Sequence, residues 1–182
     1  MHLWFDLDNG QQLRYHDVRK FGRWSLLTPE QYELFDQSVG PEPLDDAFLA
    51  EAFKAMLHSR RRILKPLLLD QSFIAGIGNI YADEALFQAR VHPKRHSHEL
   101  TEDEIVRLHT AIRSVLCSAL EHRGTTLRNY RDANGEPGEN LSRLRIYALN
   151  DGDPCPACAT PVVREVVGQR GTKFCPFCQP ID

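Results

Sequence analysis

Four cysteines near the carboxyl end constrain this chain more than any other feature of its sequence. They form two Cys-x-x-Cys pairs, Cys155 with Cys158 and Cys175 with Cys178, and sixteen residues separate the pairs. Two such pairs at this spacing bring four thiolates around one Zn²⁺ ion, and the metal then replaces a core that so short a segment cannot build. The sequence therefore predicts one structural zinc held by these four cysteines.

The same cysteines would also suit two disulfides in a secreted domain, which requires an oxidising compartment. The first residues show no basic segment followed by an apolar run, and no stretch approaches the ~20 apolar residues of a membrane span. We therefore favour zinc and expect a cytoplasmic protein without a membrane partner. The fifth cysteine, Cys117, lies in an apolar helical pattern and is interpreted as a small buried residue.

Charge is unevenly distributed along the chain, whose formal net charge is −3. Residues 1–59 contain 5 Lys+Arg and 10 Asp+Glu, whereas residues 60–182 contain 17 and 15, and 14 of those 17 cations are arginine. Arginine suits phosphate recognition because its planar guanidinium donates two parallel hydrogen bonds. The bias indicates a nucleic-acid partner, although a solvated mixed-charge surface would also produce it.

Alternating apolar residues predict a β-hairpin over residues 3–16. A three-residue loop at 8–10, with Gly10 in the left-handed region, pairs Phe5 with Leu13 and Leu3 with Tyr15. A lone hairpin is marginal in water, so we expect a larger sheet, to which residues 23–27 would add a third strand.

Helical patterns follow the Gly-Pro-Glu-Pro breaker at residues 40–43. Asp45 is expected to cap a first helix, a further helix begins near Asn79 after two glycines, and Thr101 opens a long helix through a capping box with Glu104. Between the cysteine pairs, residues 161–167 and 172–174 are predicted to form two strands, with Arg170 at the hairpin tip. The predicted class is α+β, with a partial β-sheet domain at 1–40, an α domain at 41–150 and a zinc ribbon at 151–182.

Several short motifs occur in a fixed order along the chain. They are His16-Asp17-x-Arg19-x-Phe21-Gly22, Lys65-Pro66-x-Leu68-Leu69-Asp70-Gln71, Gly76-Ile77-Gly78-Asn79-Ile80-Tyr81-Ala82-x-Glu84, Gly124-Thr125-Thr126-Leu127 and Gln169-Arg170-Gly171-Thr172 before Cys175-Pro176-x-Cys178-Gln179. As an ordered set they closely resemble the bacterial formamidopyrimidine-DNA glycosylase family, which shares its architecture with endonuclease VIII. The resemblance covers essentially the whole chain.

The resemblance implies a fold and an activity. Family members combine an amino-terminal β-sandwich, a helix-two-turns-helix domain and a zinc finger, and they remove oxidised purines from duplex DNA before cleaving the abasic site by β,δ-elimination. The expected partner is thus duplex DNA containing an oxidised purine or an abasic site, bound by a monomeric base-excision-repair enzyme associated with the nucleoid. Base extrusion costs a few kcal/mol, which a wedge and several phosphate contacts would offset.

The resemblance also assigns roles to individual residues. Asn79 and Lys65 match residues that hold the phosphates around the flipped nucleotide, and Phe21 matches the wedge that fills the vacated space. Arg170 matches the zinc-finger arginine to which the family assigns phosphate binding and a role in δ-elimination. The remaining matched DNA contacts are Arg19, Lys20 and Arg60. Lys20 replaces the usual arginine, and the loop at about 128–141 resembles the lesion-capping loop.

One feature of the family has no match in this sequence. The family nucleophile is an amino-terminal proline followed by glutamate, whereas this sequence starts Met1-His2. We therefore expect a family member that lacks its Schiff-base nucleophile, and two hypotheses follow: a DNA glycosylase and abasic-site lyase, or a non-catalytic, zinc-stabilised damaged-DNA-binding fragment. A third hypothesis is a zinc ribbon that binds RNA or another protein. It leaves the motifs that precede the cysteines unexplained.

Overall fold

The structure is a computed structural model, and it describes residues 3–17, 20–127, 130–132 and 134–181. The chain separates into two compact units, residues 1–37 and residues 38–182. The strands and helices, in chain order, are β1 (Leu3–Asp6), β2 (Gln12–Tyr15), α1 (Pro29–Gln37), α2 (Ala50–His58), α3 (Leu64–Leu68), α4 (Asn79–Ala89), α5 (Glu102–Glu121), β3 (Val163–Val167) and β4 (Arg170–Phe174).

The first unit contains the predicted hairpin in the predicted register. Strands β1 and β2 are antiparallel, with Leu3 opposite Tyr15 and Phe5 opposite Leu13. The Leu7 N–H donates to the Gln11 carbonyl at 2.9 Å, which leaves three residues in the loop. Gly10 takes φ +78° there, a left-handed conformation that glycine adopts without strain.

The predicted third strand at residues 23–27 is wrong. Residues 20–28 are described and form no strand, so the sheet of the first unit has two strands. Trp24 instead packs its ring against Phe5 and Tyr15, with ring centroids 5.1 and 5.3 Å apart. Trp24 therefore covers the hairpin without extending the sheet, and the chain then continues into α1, a helix that was not predicted.

The core of the second unit lies between α2, α3, α4 and α5. The capping box that opens α5 is confirmed, because the Thr101 hydroxyl accepts from the Glu104 N–H and the Glu104 carboxylate accepts from the Thr101 N–H. Helix α4 begins at Asn79, as predicted, with Gly78 as its N-cap. The interpretation of Cys117 as buried is wrong, since it lies on the exposed side of α5.

The predicted cap of the first α-domain helix is also wrong. Helix α2 has Leu49 at its N-cap, without a side-chain hydrogen bond. The Asp45 carboxylate accepts instead from the Ala47 N–H at 2.8 Å and closes a separate turn before the helix. Among the residues that the structure describes, no helix is long and apolar enough to cross a lipid bilayer.

Strands β3 and β4 form an antiparallel hairpin that follows the first cysteine pair. Val167 pairs with Arg170, so the turn contains only Gly168 and Gln169. Both turn residues have positive φ, +56° and +64°, as the two-residue turns favoured in tight hairpins require. Arg170 is therefore the first residue of β4, one position past the tip at which it was predicted, and it is exposed. The hairpin belongs to the same compact unit as the helices.

Candidate nucleic-acid interface

The four predicted zinc ligands come together in space. The Sγ atoms of Cys155, Cys158, Cys175 and Cys178 all lie within 4.8 Å of one another. Individual Sγ–Sγ distances are 3.9 Å for Cys155–Cys178, 3.5 Å for Cys158–Cys175 and 3.4 Å for Cys158–Cys178. A tetrahedral site with Zn–S bonds of about 2.3 Å requires about 3.8 Å between sulfurs, so the cluster fits one zinc ion. Four thiolates complete the coordination shell, and the zinc is structural.

The local chain prepares these sulfurs for a metal. The backbone N–H groups of Ala157 and Cys178 donate to the sulfurs of Cys155 and Cys175, each at 3.4 Å. Hydrogen bonds from Thr160 lower the pKa of Cys158 to about 6, whereas burial raises the pKa of Cys175 and of Cys178. Each Cys-x-x-Cys pair thus folds as a knuckle that points its sulfurs inward.

Gln179 joins the second knuckle to the helical core. Its side chain is fully buried, accepts from the Cys175 N–H at 3.0 Å and donates to the Val91 carbonyl at 2.9 Å. The knuckle itself packs on Phe87 of α4 and on Ile146. The zinc end of the finger is therefore attached to the helices by both apolar and polar contacts.

The hairpin turn contacts the helices at a second place. A Cβ atom added to Gly168 would lie 2.3 Å from Pro66 Cγ, so only glycine permits this close approach of the turn to α3.

Two buried side chains of opposite charge meet next to β4. The Lys65 ammonium and the Asp83 carboxylate lie 2.6 Å apart, and neither side chain has exposed surface.

Both buried charges also bind the hairpin backbone. Lys65 Nζ donates to the Gly171 carbonyl at 3.0 Å and to the Thr172 hydroxyl at 2.7 Å. The Asp83 carboxylate accepts from the Lys173 N–H at 3.1 Å. Burial lowers the pKa of Lys65 and raises the pKa of Asp83, and the attraction between the two charges opposes both shifts.

A polar groove of about 530 Å³ lies between the start of α4 and the hairpin. Its lining includes Asn79, Tyr147, Arg164, Arg170 and Lys173, together with one carboxylate, that of Asp151. Asn79 is the first residue of α4, and the dipole of a helix makes this end positive. The groove therefore suits an anion.

Asn79 directs its side-chain amide toward the hairpin. Asn79 Nδ2 donates to the Gly171 carbonyl at 3.0 Å and to the Tyr147 hydroxyl at 3.3 Å. The Gly171 carbonyl consequently accepts from both Asn79 and Lys65. Their common acceptor is the residue that follows Arg170, so both side chains support the strand that carries this arginine.

Three predicted site residues of the second unit come together at the Gly171 carbonyl, which accepts from Lys65 and Asn79 and directly follows Arg170 in the chain. Asn79 and Arg170 line the groove. Lys65 is fully buried and its ammonium has protein partners, so it exposes no surface to a phosphate in this structure, and its role in phosphate binding stays a prediction. Arg60 is exposed directly after α2. Its carbonyl accepts from the Ser97 hydroxyl at 2.6 Å, which fixes the backbone at this position.

The front loop belongs to the first unit. Phe21 is 73% exposed, so its ring is not packed into the sheet. Lys20 adopts φ +56°, and its N–H donates to the Asp17 carbonyl at 3.3 Å. Arg19 lies outside the described residues, as do residues 128, 129 and 133 of the predicted lesion-capping loop.

Sequence reasoning missed three residues that shape this interface. Asp83 holds Lys65, Lys173 donates through Nζ to the Tyr147 carbonyl at 2.7 Å, and the Tyr147 ring lies 5.3 Å below that ammonium. Glu84 had been noted only within a motif, yet it accepts from the backbone N–H groups of residues 145, 146 and 147. One feature of the sequence could have indicated the roles of Asp83 and Glu84. They are adjacent acids in an otherwise apolar helix, and buried acids need hydrogen-bond or charge partners.

Comparisons with known proteins agree with this geometry. A family model described as the formamidopyrimidine-DNA glycosylase H2TH domain matches residues 39–131, and one described as a zinc finger found in FPG and IleRS matches residues 152–181. The chain belongs to the formamidopyrimidine-DNA glycosylase family. A family member from Herpetosiphon aurantiacus is 51% identical over 98% of this chain. The chain spans less than two thirds of the length of that relative, 65%.

Solved structures of the family share the fold. The crystal structure of the MutM (Fpg) protein from Thermus thermophilus is 47% identical in sequence and matches with a TM-score of 0.87. The matched region includes 96% of this chain and 66% of the Thermus thermophilus chain. A structure of MutM in complex with DNA containing carbocyclic 8-oxo-G is 37% identical and matches with a TM-score of 0.84, over 93% of this chain and 62% of its own. The helices and the four-cysteine finger described above are thus those of the glycosylase family.

Proposed function

We propose that this protein acts in base-excision repair as a DNA glycosylase and abasic-site lyase that removes oxidised purines from duplex DNA. The observation that carries the proposal is the groove in which the positive end of α4 meets Arg170 on a zinc-anchored hairpin. A DNA phosphate is the anion that these donors fit, because helix N-termini and guanidinium groups both bind phosphate oxygens. The MutM complex with 8-oxo-G DNA supports an oxidised purine as the lesion.

Arg170 is the residue to which we assign direct action on the DNA. Its guanidinium would bind the phosphate next to the lesion and neutralise charge that develops as the phosphate leaves in δ-elimination. Asn79 and Lys65 act behind it, through their shared hydrogen bonds to the Gly171 carbonyl. Arg60 supplies a further phosphate contact from the segment after α2.

The front loop supplies the proposed wedge. Phe21 is exposed, and an aromatic ring in that position would fill the gap that an extruded base leaves in the stack. Lys20 and Arg19 flank it with positive charge for the neighbouring phosphates and for the unpaired base. Family members usually have arginine at the position of Lys20. Because a lysine ammonium lacks the planar, two-pronged donor geometry of arginine, we expect weaker discrimination of the opposite base.

A second candidate is damaged-DNA binding without catalysis. The proposed phosphate contacts of Arg60, Asn79 and Arg170 all lie in the second compact unit. These contacts are non-covalent, so the unit would bind DNA phosphates without a catalytic nucleophile. The two candidates differ in one chemical step. In the enzyme, a protein amine attacks the C1′ aldehyde of the abasic site and releases water, which leaves a covalent imine.

Borohydride trapping on duplex DNA with an abasic site tests both candidates. Hydride reduces the imine to a stable secondary amine, so an enzyme gives a covalent protein–DNA band, and we expect 8-oxoguanine excision by the same preparation. A gel shift of the damaged duplex without a covalent band would leave only the binding function. Equal affinity for damaged and undamaged duplexes, without a covalent band, would contradict both.

A further inference from the structure

The buried pair of Lys65 and Asp83 is not explained by phosphate contact or by stability. Neither side chain has exposed surface, and their charged atoms lie 2.6 Å apart. Removing two charges from water costs about as much as their attraction returns, so a buried pair rarely stabilises a fold relative to an apolar one. The shifts of both pKa values toward the neutral forms agree with that cost.

The side chains of the pair also form hydrogen bonds with one short stretch of β4. Lys65 holds the Gly171 carbonyl and the Thr172 hydroxyl, and Asp83 holds the Lys173 N–H. The Thr172 hydroxyl in turn donates to the Arg170 carbonyl at 3.0 Å. Three consecutive residues after Arg170 are thus bound to helices α3 and α4.

We propose that Asp83 is a positioning residue, whose carboxylate holds the Lys65 ammonium against the Gly171 carbonyl and thereby fixes Arg170 at the groove. The proposal rests on the proposed function, since Arg170 is the group that would contact DNA. Arg170 and Lys65 are close enough that the arginine charge disfavours the lysine ammonium. Asp83 supplies the opposite charge that keeps the ammonium in place beside that arginine.

A mutant cycle with duplex DNA containing a tetrahydrofuran abasic-site analogue tests this role. The variants are Asp83→Asn, Arg170→Ala and their combination. A charge-assisted phosphate contact corresponds to roughly a tenfold change in affinity, so Arg170→Ala should weaken binding by about that factor. Asp83→Asn should weaken it similarly, and the combination should weaken it little further, because both changes remove the same contact. If the fold-losses in affinity of the two single variants multiply in the combined variant, the proposal is overturned.

A neutral variant separates positioning from folding. Lys65→Met with Asp83→Asn removes both charges, so it avoids an unpaired buried charge and should fold, but the methionine no longer binds the Gly171 carbonyl. We expect its affinity to match that of Arg170→Ala, and wild-type affinity would contradict the proposal. Lys94→Met is the matched control, because Lys94 forms a half-exposed ion pair with Glu165 on the other hairpin strand. It should bind as the wild type.

Hydrogen exchange without DNA distinguishes failure of this inference from failure of the proposed function. Backbone amides of residues 170–174 should exchange faster in Asp83→Asn than in the wild type, and Lys94→Met should leave them unchanged. If the wild type does not bind the duplex, the proposed function fails and exchange alone decides the positioning role. Unchanged exchange in Asp83→Asn would overturn that role.

Discussion

The two ends of the finger hairpin are fixed by different means. At the zinc end, the ligands are close in sequence, and Cys158 and Cys175 are 17 residues apart. At the Arg170 end, the contacts join distant residues, since Lys65 and Gly171 are 106 positions apart and Asn79 and Gly171 are 92 apart. A metal holds the first end together, with Gln179 as its hydrogen-bonded link to the helices, whereas the second end is fixed by buried hydrogen bonds without a metal. Stability and positioning are therefore supplied by separate parts of the finger.

Loss of the metal should have the largest effect. Cys175→Ser removes one of four thiolates, and structural zinc contributes about 10–16 kcal/mol to the folding of such segments. We expect zinc content to fall from one equivalent to near zero and proteases to cleave within residues 152–181, while the far-ultraviolet dichroism of the helices persists. Cys117→Ser is the control, because that cysteine is exposed on α5 and distant from the cluster in sequence. Full zinc content in Cys175→Ser would contradict the assignment.

The Arg170 end should be sensitive to one missing charge but tolerant of two. Asp83→Asn leaves the Lys65 ammonium buried without a counter-charge, which costs about 3–5 kcal/mol. Lys65→Met with Asp83→Asn should lie within about 1 kcal/mol of the wild type, because the neutral pair removes that cost. Urea unfolding at pH 7 measures both. A double variant less stable than Asp83→Asn would mean that the pair stabilises the fold.

Gln179 joins the zinc end to the helices, so its loss should have an intermediate effect. Gln179→Leu leaves the Cys175 N–H and the Val91 carbonyl without partners, at about 1–3 kcal/mol for an unsatisfied buried group. Thermal unfolding of the zinc-loaded protein should show the loss. Gln88→Leu, on the exposed side of α4, should change little, and equal effects of the two substitutions would argue against the anchor.

The smallest effect is expected at the groove itself. Tyr147→Phe removes a hydroxyl that accepts from Asn79 at 3.3 Å, while Asn79 keeps its bond to the Gly171 carbonyl. We expect a loss of about 0.5–1.5 kcal/mol in unfolding free energy. Asn79→Ala removes both bonds and should cost more. The reverse order would show that Tyr147, rather than Asn79, supports the hairpin.

The contrast between the two ends also explains what the sequence could predict. Spacing alone located the zinc ligands, the register of β1 and β2, and the capping box at Thr101, because each depends on residues near one another in the chain. The roles of Asp83 and Gln179 depend on contacts across 90 and 88 positions, which no local pattern encodes. Lys65 was assigned to phosphate through the family resemblance, which carries no information on the buried acid that binds it here.

The false third strand has a different origin. Residues 23–27 were expected to add a strand because a lone hairpin is marginal in water, yet Trp24 packs across Phe5 and Tyr15 instead of extending the sheet. A short segment beside a hairpin can cover it with a side chain as well as pair with it. Ring packing therefore decided the structure of this segment.

The salt dependence of DNA binding tests the central claim, that the finger holds Arg170 against a DNA phosphate. The slope of log K against log salt concentration falls by about one for each phosphate contact that is lost. Wild type and Arg170→Ala should be compared on a duplex with an abasic-site analogue, between about 50 and 200 mM salt. We predict a slope smaller by about one in Arg170→Ala. Identical slopes would mean that Arg170 does not contact a phosphate, and the proposed interface would be wrong.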